Sequence, residues 1–220
     1  MLPLTQSHPP SWFALSVLGV ENRQHAKISY RLGTRAMWQD NHGYDNVSWI
    51  EYLGFDYEPI ERGDDIWNLP ILKAYSLDSI LAYEHRLSWQ FETGLSNQCA
   101  FCNTSLNHFY ISGGGGIALP INKLQIFLLA HLKSESWLDT GPEAVLAPGY
   151  RAGLQWRSAR ANLLALHEQH WWKAHRRHES SVRGTFYVSS RNEIFTEFKH
   201  LYTQFDRQEN HSELGWVHFF

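Results

Sequence analysis

Glu143-Ala-Val-Leu-Ala-Pro-Gly-Tyr-Arg-Ala-Gly-Leu-Gln-Trp-Arg157 is the stretch on which the fold turns. Ala144, Leu146, Tyr150, Ala152, Leu154 and Trp156 alternate with Glu143, Arg151, Gln155 and Arg157. That period of two is the signature of a strand with one apolar and one polar face. The same period runs outward in both directions. Leu124, Ile126, Leu128, Ala130 and Leu132 oppose Gln125, His131 and Lys133; Val182, Phe186 and Val188 oppose Arg183, Thr185 and Ser189. Toward the N-terminus, Ala26, Ile28, Tyr30 and Leu32 alternate with Lys27, Ser29 and Arg31, and Leu87, Trp89 and Phe91 with Arg86, Ser88 and Gln90. The pattern predicts about twelve strands between residues 12 and 220. Helical periodicity is weak, with Ser76–His85 its best candidate, and Arg160–Trp172 fits helix or strand.

Composition narrows the class. The chain has 220 residues, 19 Lys plus Arg against 22 Asp plus Glu, and a net charge of −3, which disfavours a nucleic-acid binder. Hydrophobic residues make up 43% and exclude wholesale disorder. Aromatic residues reach 15%, and such side chains suit surfaces that are apolar at one end and wet at the other. No run approaches the roughly 20 apolar residues of a membrane helix, but a transmembrane β-barrel carries only alternation in segments of about 10 residues.

Connections support a barrel. Tight turns are expected at Pro120–Lys123, Ser158–Arg160 and Ser190–Asn192, and long polar loops at Ser134–Pro142, Lys173–Ser180 and Asp206–His211. Alternating short turns and long loops are the habit of outer-membrane barrels. The front half breaks the rule, since Thr34–Val47 is long where a short turn is due. The chain ends in Glu213-Leu-Gly-Trp-Val-His-Phe-Phe220, where Leu214, Trp216 and Phe220 match the closing strand of bacterial outer-membrane barrels and His218 departs from it. The expected fold is an all-β, antiparallel up-and-down meander closed into a barrel of about 10–12 strands, outer-membrane type. Closure removes the free edges of so long a meander. Residues 1–11 are expected to be a disordered or linker N-terminus and 12–220 a single barrel domain. The first twenty residues make no convincing signal peptide, which suggests a fragment of a longer exported protein.

Several segments resemble a bacterial family: Ala26-Lys-Ile-Ser-Tyr-Arg-Leu, Asp40-Asn-His-Gly-Tyr, Ser48-Trp-Ile-Glu-Tyr-Leu-Gly-Phe-Asp, Leu87-Ser-Trp-Gln-Phe-Glu-Thr-Gly-Leu and the Gly113–Gly116 run. These are similar to the C-terminal β-barrel region, a domain of unknown function, of proteins that carry an Lnb-type N-terminal periplasmic domain. The resemblance implies a barrel that partners an enzyme domain absent from this chain, and transfers no catalytic residue.

Candidate sites are few. Cys99 and Cys102 read as a loop-stiffening disulfide in an oxidising compartment; zinc lacks ligands, with only His108 near, and a redox pair lacks its helix. His167-Glu-Gln-His170 is one residue short of a metalloprotease motif, and on a strand its histidines face opposite sides. Arg176 and Arg177, in a polar loop, are candidates for contacts to lipid phosphate. Trp156, Trp171, Trp172 and Trp216 are candidates for membrane-interface girdles. The glycine run lacks the ending of a phosphate loop and reads as relief of crowding in a curved strand. No metal or cofactor is expected. The expected partners are outer-membrane lipid and a periplasmic domain or protein, and the expected role is anchoring or scaffolding in the outer membrane. Two alternatives stand beside it: a lipid-modifying barrel with a Ser/His site, and a soluble lipocalin-like barrel with its apolar faces inward.

Overall fold

The computed structural model describes residues 11–20, 23–32, 48–59, 65–77, 87–97, 107–138, 144–173, 175–203 and 208–220. They form twelve strands: β1 Ser11–Val20, β2 Arg23–Leu32, β3 Ser48–Glu58, β4 Ile66–Ser76, β5 Ser88–Ser96, β6 His108–Ile121, β7 Leu124–Trp137, β8 Ala144–Arg157, β9 Ala161–Trp172, β10 His175–Ser189, β11 Asn192–Thr203 and β12 Gln208–Phe219. Each pairs antiparallel with its sequence neighbours. β12 returns to β1, from Trp12↔Phe219 to Val20↔His211, and closes the barrel. The ambiguous segment 160–172 is the strand β9. No described helix is long and apolar enough to cross a membrane. The helix candidate 76–85 lies largely outside the described residues.

The alternation decides which way the wall faces. On β7, Gln125, Phe127, Leu129, His131 and Glu135 are buried in the lumen, whereas Ile126, Leu128 and Leu132 stand exposed on the outside. The same division holds on β10, with Val182, Phe186 and Val188 outside, and on β12, with Leu214 and Trp216 outside and Glu213 inside. Outward apolar and inward polar faces reverse the order of a soluble ligand-binding barrel, so the lipocalin-like alternative is excluded.

The connections differ from the expected parity. Strands β9 and β10 are separated only by residues 173–174, where Lys173 has φ 51°. The segment 175–180, expected as loop, is ladder: His175 pairs with Trp172 and Ser180 with His167. Its polar side chains hid a strand, because a hairpin reaching beyond an apolar band needs no apolar face there. The tight turns at 122–123, 158–160 and 190–191 do lie at one end of the barrel, the end that also holds Ser11 and Phe220.

Glycines set the wall's curvature and the lumen's packing. A Cβ on Gly114 or Gly116 would fall 2.2 Å from the Ala130 carbonyl oxygen and 2.0 Å from that of Leu128. The backbones of β6 and β7 approach there more closely than any side chain permits. Leu53 has φ 45°, next to the register shift between Arg31 and Leu32, so the ladder carries a bulge at this point.

Candidate functional site

Two apolar clusters lie inside the barrel toward the end that holds the termini. Tyr75, Leu77, Ala118, Phe127, Leu129 and Leu164 form one. Trp12, Ala14, Phe195, Val217 and Phe219 form the other. Leu77, Leu129 and Val217 have 0% of their surface exposed.

Above the clusters the lumen is charged and paired. Arg151 donates from Nε to Glu168 Oε2 at 2.6 Å and from a terminal nitrogen to Gln90 Oε1 at 2.7 Å, and lies 3.6 Å from Glu92. Lys73 meets Glu92 at 3.4 Å, and the Tyr75 hydroxyl donates to the same carboxylate. Lys27 and Ser16 converge on Glu213 at 2.9 and 2.5 Å, Arg31 binds Asp56 at 2.6 Å, and Lys199 binds Glu179 at 2.7 Å. Each of these charges points inward by strand parity, and each ion pair joins two different strands. In this confined space a charge without an opposite partner would be strongly destabilising.

Within this network His131, Glu168 and His170 come together. His131 Nδ1 is 3.3 Å from His170 Nε2, which is 2.6 Å from Glu168 Oε1. His167 and His170 face opposite sides of β9, as expected of a strand. The partner that sequence reading missed, His131, lies two strands away on β7. The signal was parity: Glu168 and His170 share one face of β9, and His131 the same face of β7.

On the outer wall His167 makes a separate polar group. Its Nδ1 lies 2.8 Å from the Ser180 hydroxyl and its Nε2 lies 3.2 Å from the Tyr150 hydroxyl, which donates to Gln169 Oε1 at 3.2 Å. A consistent donor order runs Ser180 to His167 to Tyr150 to Gln169, leaving Nδ1 as acceptor for the Ser180 proton. A cavity of about 300 Å³ borders Ser180, lined also by Val182, Phe198, His200 and Asn210.

The residues singled out earlier fall as follows. Arg176 and Arg177 sit on β10, not in a loop. Arg176 is exposed opposite Trp171, whereas Arg177 is partly buried and pairs with Glu179 at 3.2 Å. An arginine engaged with a lumen carboxylate is not presented to outside phosphate, which corrects the reading of Arg177. Trp156, Trp171 and Trp216 are on the outer wall; Trp156 and Trp216 lie toward the end with the termini and Trp171 toward the other. Trp172 differs. It shares inward parity with His170 and packs edge-on against buried Trp137 at 6.3 Å, so it belongs to the lumen mouth and to no outer girdle. Leu214 and Trp216 face outward on β12 and Phe220 follows it, with the Phe220 N–H bonded to the Ser11 carbonyl at 3.1 Å. His218, the departure from the terminal pattern, packs between Trp216 and Phe220 and is 3.0 Å from Asn192 Oδ1. Cys99 and Cys102 lie outside the described residues.

Comparison with solved structures returns outer-membrane barrels. A KdgM porin in complex with disordered oligogalacturonate matches with TM-score 0.56 and 8% identity, over 95% of this chain and 99% of that one. An outer membrane channel from Pseudomonas putida F1 matches with TM-score 0.56 and 8% identity over 100% of both chains. A NanC porin matches with TM-score 0.54 and 8% identity, over 94% and 99%. At such identity the likeness establishes the fold, a closed twelve-stranded barrel of the outer-membrane type. No curated protein matches the chain. A family model described as "Domain of unknown function (DUF7840)" matches residues 4–219.

Proposed function

The chain belongs to the DUF7840 family, a domain of unknown function, and from that premise we propose that it is an outer-membrane anchor that holds a periplasmic domain or protein at the membrane. The carrying observation is the apolar packing and ion pairing of the described inward-facing side chains. The porin neighbours suggest passage of solute, but here Phe127, Leu129 and Leu77 are buried together toward one end. Above them the inward charges are engaged with one another. A barrel packed and paired in this way contributes a lipid-facing wall and a rigid support. In this proposal the end holding Ser11 and Phe220 faces the periplasm, where a domain joined ahead of β1 would sit.

Planar-bilayer recording and cell fractionation test the proposal. The refolded barrel is expected to give no steady conductance. The gene is expected to encode a periplasmic domain in frame upstream, released to the soluble periplasm when residues 12–220 are deleted. Steady single-channel currents, or an upstream domain that stays on the membrane without the barrel, would refute the anchor.

A second reading rests on the Ser180–His167 contact, which puts a potential nucleophile on the outer wall at the edge of its apolar band. In this reading Ser180 Oγ attacks the ester carbonyl of a phospholipid and His167 Nδ1 takes its proton. The proton then passes to the departing alcohol oxygen, and water hydrolyses the acyl-serine ester. Tyr150 and Gln169 hold the imidazole from behind. Release of fatty acid by the purified barrel, abolished by Ser180→Ala and by His167→Ala in barrels that still show heat-modifiable migration, is the expected result. A barrel with no acyl release against phospholipid vesicles eliminates this reading.

A further inference from the structure

We propose that His131, His170 and Glu168 form a lumenal binding site for one divalent transition-metal ion of the zinc class. The site is built by register. Gly149 on β8 is the ladder partner of His131 on β7 and of His170 on β9. A Cβ on Gly149 would fall 2.7 Å from His170 Nδ1 and 2.1 Å from the Gln169 carbonyl oxygen. The bare glycine therefore lets two imidazoles meet over the strand that separates them, with ring centroids 5.0 Å apart.

The donor geometry points to a cation. His170 Nδ1 is 3.3 Å from the Ala147 carbonyl oxygen, which can only accept, so this nitrogen carries a proton. The opposite nitrogen, Nε2, faces Glu168 Oε1 at 2.6 Å and His131 Nδ1 at 3.3 Å. In a neutral imidazole that Nε2 holds a lone pair, so two acceptors confront each other. A positive centre resolves the conflict, either a second proton on His170 or a metal ion. The imidazole pair favours the metal. A tetrahedral ion bound at about 2.0–2.1 Å sets neighbouring ligand atoms about 3.3–3.4 Å apart, which matches the His131–His170 separation, and Glu168 Oε1, 2.6 Å from His170 Nε2, draws back to admit the ion. All three ligand atoms lie within 4.8 Å of one another.

Outer partners are in place for His170 and Glu168. The His170-to-carbonyl bond fixes the tautomer that leaves Nε2 free to ligate, and Arg151 holds the other oxygen of Glu168. His131 and His170 are 5% and 2% exposed, and His131 Nε2 has no hydrogen-bond partner among the described residues. Two imidazoles and a carboxylate suit zinc, with a water as fourth ligand.

The test uses the untagged chain refolded in detergent, stripped with chelator, reloaded with Zn²⁺ and desalted. Metal analysis is expected to find one retained zinc per barrel, with occupancy falling about tenfold or more in His131→Ala and in His170→Ala, since even outer-shell changes weaken metal sites by about 10–100-fold. Heat-modifiable migration reports whether each variant has folded. If the variants fail to fold, the wild-type barrel loaded with Co²⁺ decides: an intense visible band of a four-coordinate ion supports the site. Zinc retention equal in wild type and a folded double variant, or a wild-type barrel without zinc and without the cobalt band, would show a proton shared between imidazole and carboxylate and overturn the proposal.

Discussion

The ring of Phe127 lies over Gly153, its cross-strand partner, where a Cβ would come within 2.1 Å of the ring. Strand β8 gives up a side chain so that β7 can lay an aromatic ring over it. The same exchange occurs on the far wall, where a Cβ on Gly215 would meet Phe195 at 2.5 Å. Each glycine makes room for the aromatic of an apolar cluster inside the barrel.

Gly153→Ala is therefore expected to destabilise the barrel by about 1–3 kcal/mol through overpacking. Phe127→Ala is expected to cost about 3–5 kcal/mol through the cavity it leaves. Urea unfolding in lipid vesicles, followed by tryptophan fluorescence, measures both. Phe127→Ala should also relieve Gly153→Ala, so the double variant should lose less than the sum of the two. Strict additivity would mean that the ring and the glycine do not constrain each other.

Arg151 carries the lumen's charge balance, because it touches Glu168, Gln90 and Glu92. Arg151→Met leaves buried carboxylates without their cation and is expected to cost about 3–5 kcal/mol. Adding Glu168→Gln removes one of those charges and should recover part of the loss. Equilibrium unfolding of the single and double variants gives the coupling. A single-variant cost near that of an exposed ion pair, about 0–1 kcal/mol, would mean that water reaches the network freely.

The glycine run on β6 separates two environments by parity. A Cβ on Gly116 falls 2.0 Å from a backbone oxygen of β7, while one on Gly115 has nothing nearer than 3.7 Å. Gly116→Val should thus disturb the β6–β7 ladder and slow or prevent folding, whereas Gly115→Val should be tolerated. Refolding yield, read as the heat-modifiable fraction on a gel, distinguishes them. Equal yields would remove close backbone approach as the reason for these glycines.

Much of the fold was legible because apolar and polar residues alternate wherever the wall divides lipid from lumen, as at Leu124–Leu132 and Val182–Val188. The reading failed where that contrast vanishes. His175–Ser180 is strand, yet it is polar on both faces and looks like a loop. Trp172 looks like its neighbour Trp171, but one residue along a strand reverses the face, so only one of them reaches the outside. Arg177 was misread for the same reason, since Glu179, its partner, shares its face. The His131–Glu168–His170 group was partly visible as parity on β9. Its third member depended on a glycine, Gly149, whose role appears only when three strands are set in register.

On β7, Leu124, Ile126, Leu128, Ala130 and Leu132 make an unbroken outward apolar row, and Ser134 and Ser136 continue the same parity beyond it. Leu128 is the middle of the row and is 51% exposed. If the row spans hydrocarbon, an arginine at Leu128 must drag its charge to the bilayer midplane, while one at Ser136 reaches headgroups or water. Leu128→Arg is expected to destabilise by about 2–4 kcal/mol and Ser136→Arg by about 0–1 kcal/mol. Unfolding in phospholipid vesicles measures the difference. The same pair in detergent micelles should differ less, because a micelle deforms around a charge more readily than a bilayer does. Equal costs at the two positions in vesicles would place Leu128 outside the hydrocarbon layer, and with it the whole apolar face of β7.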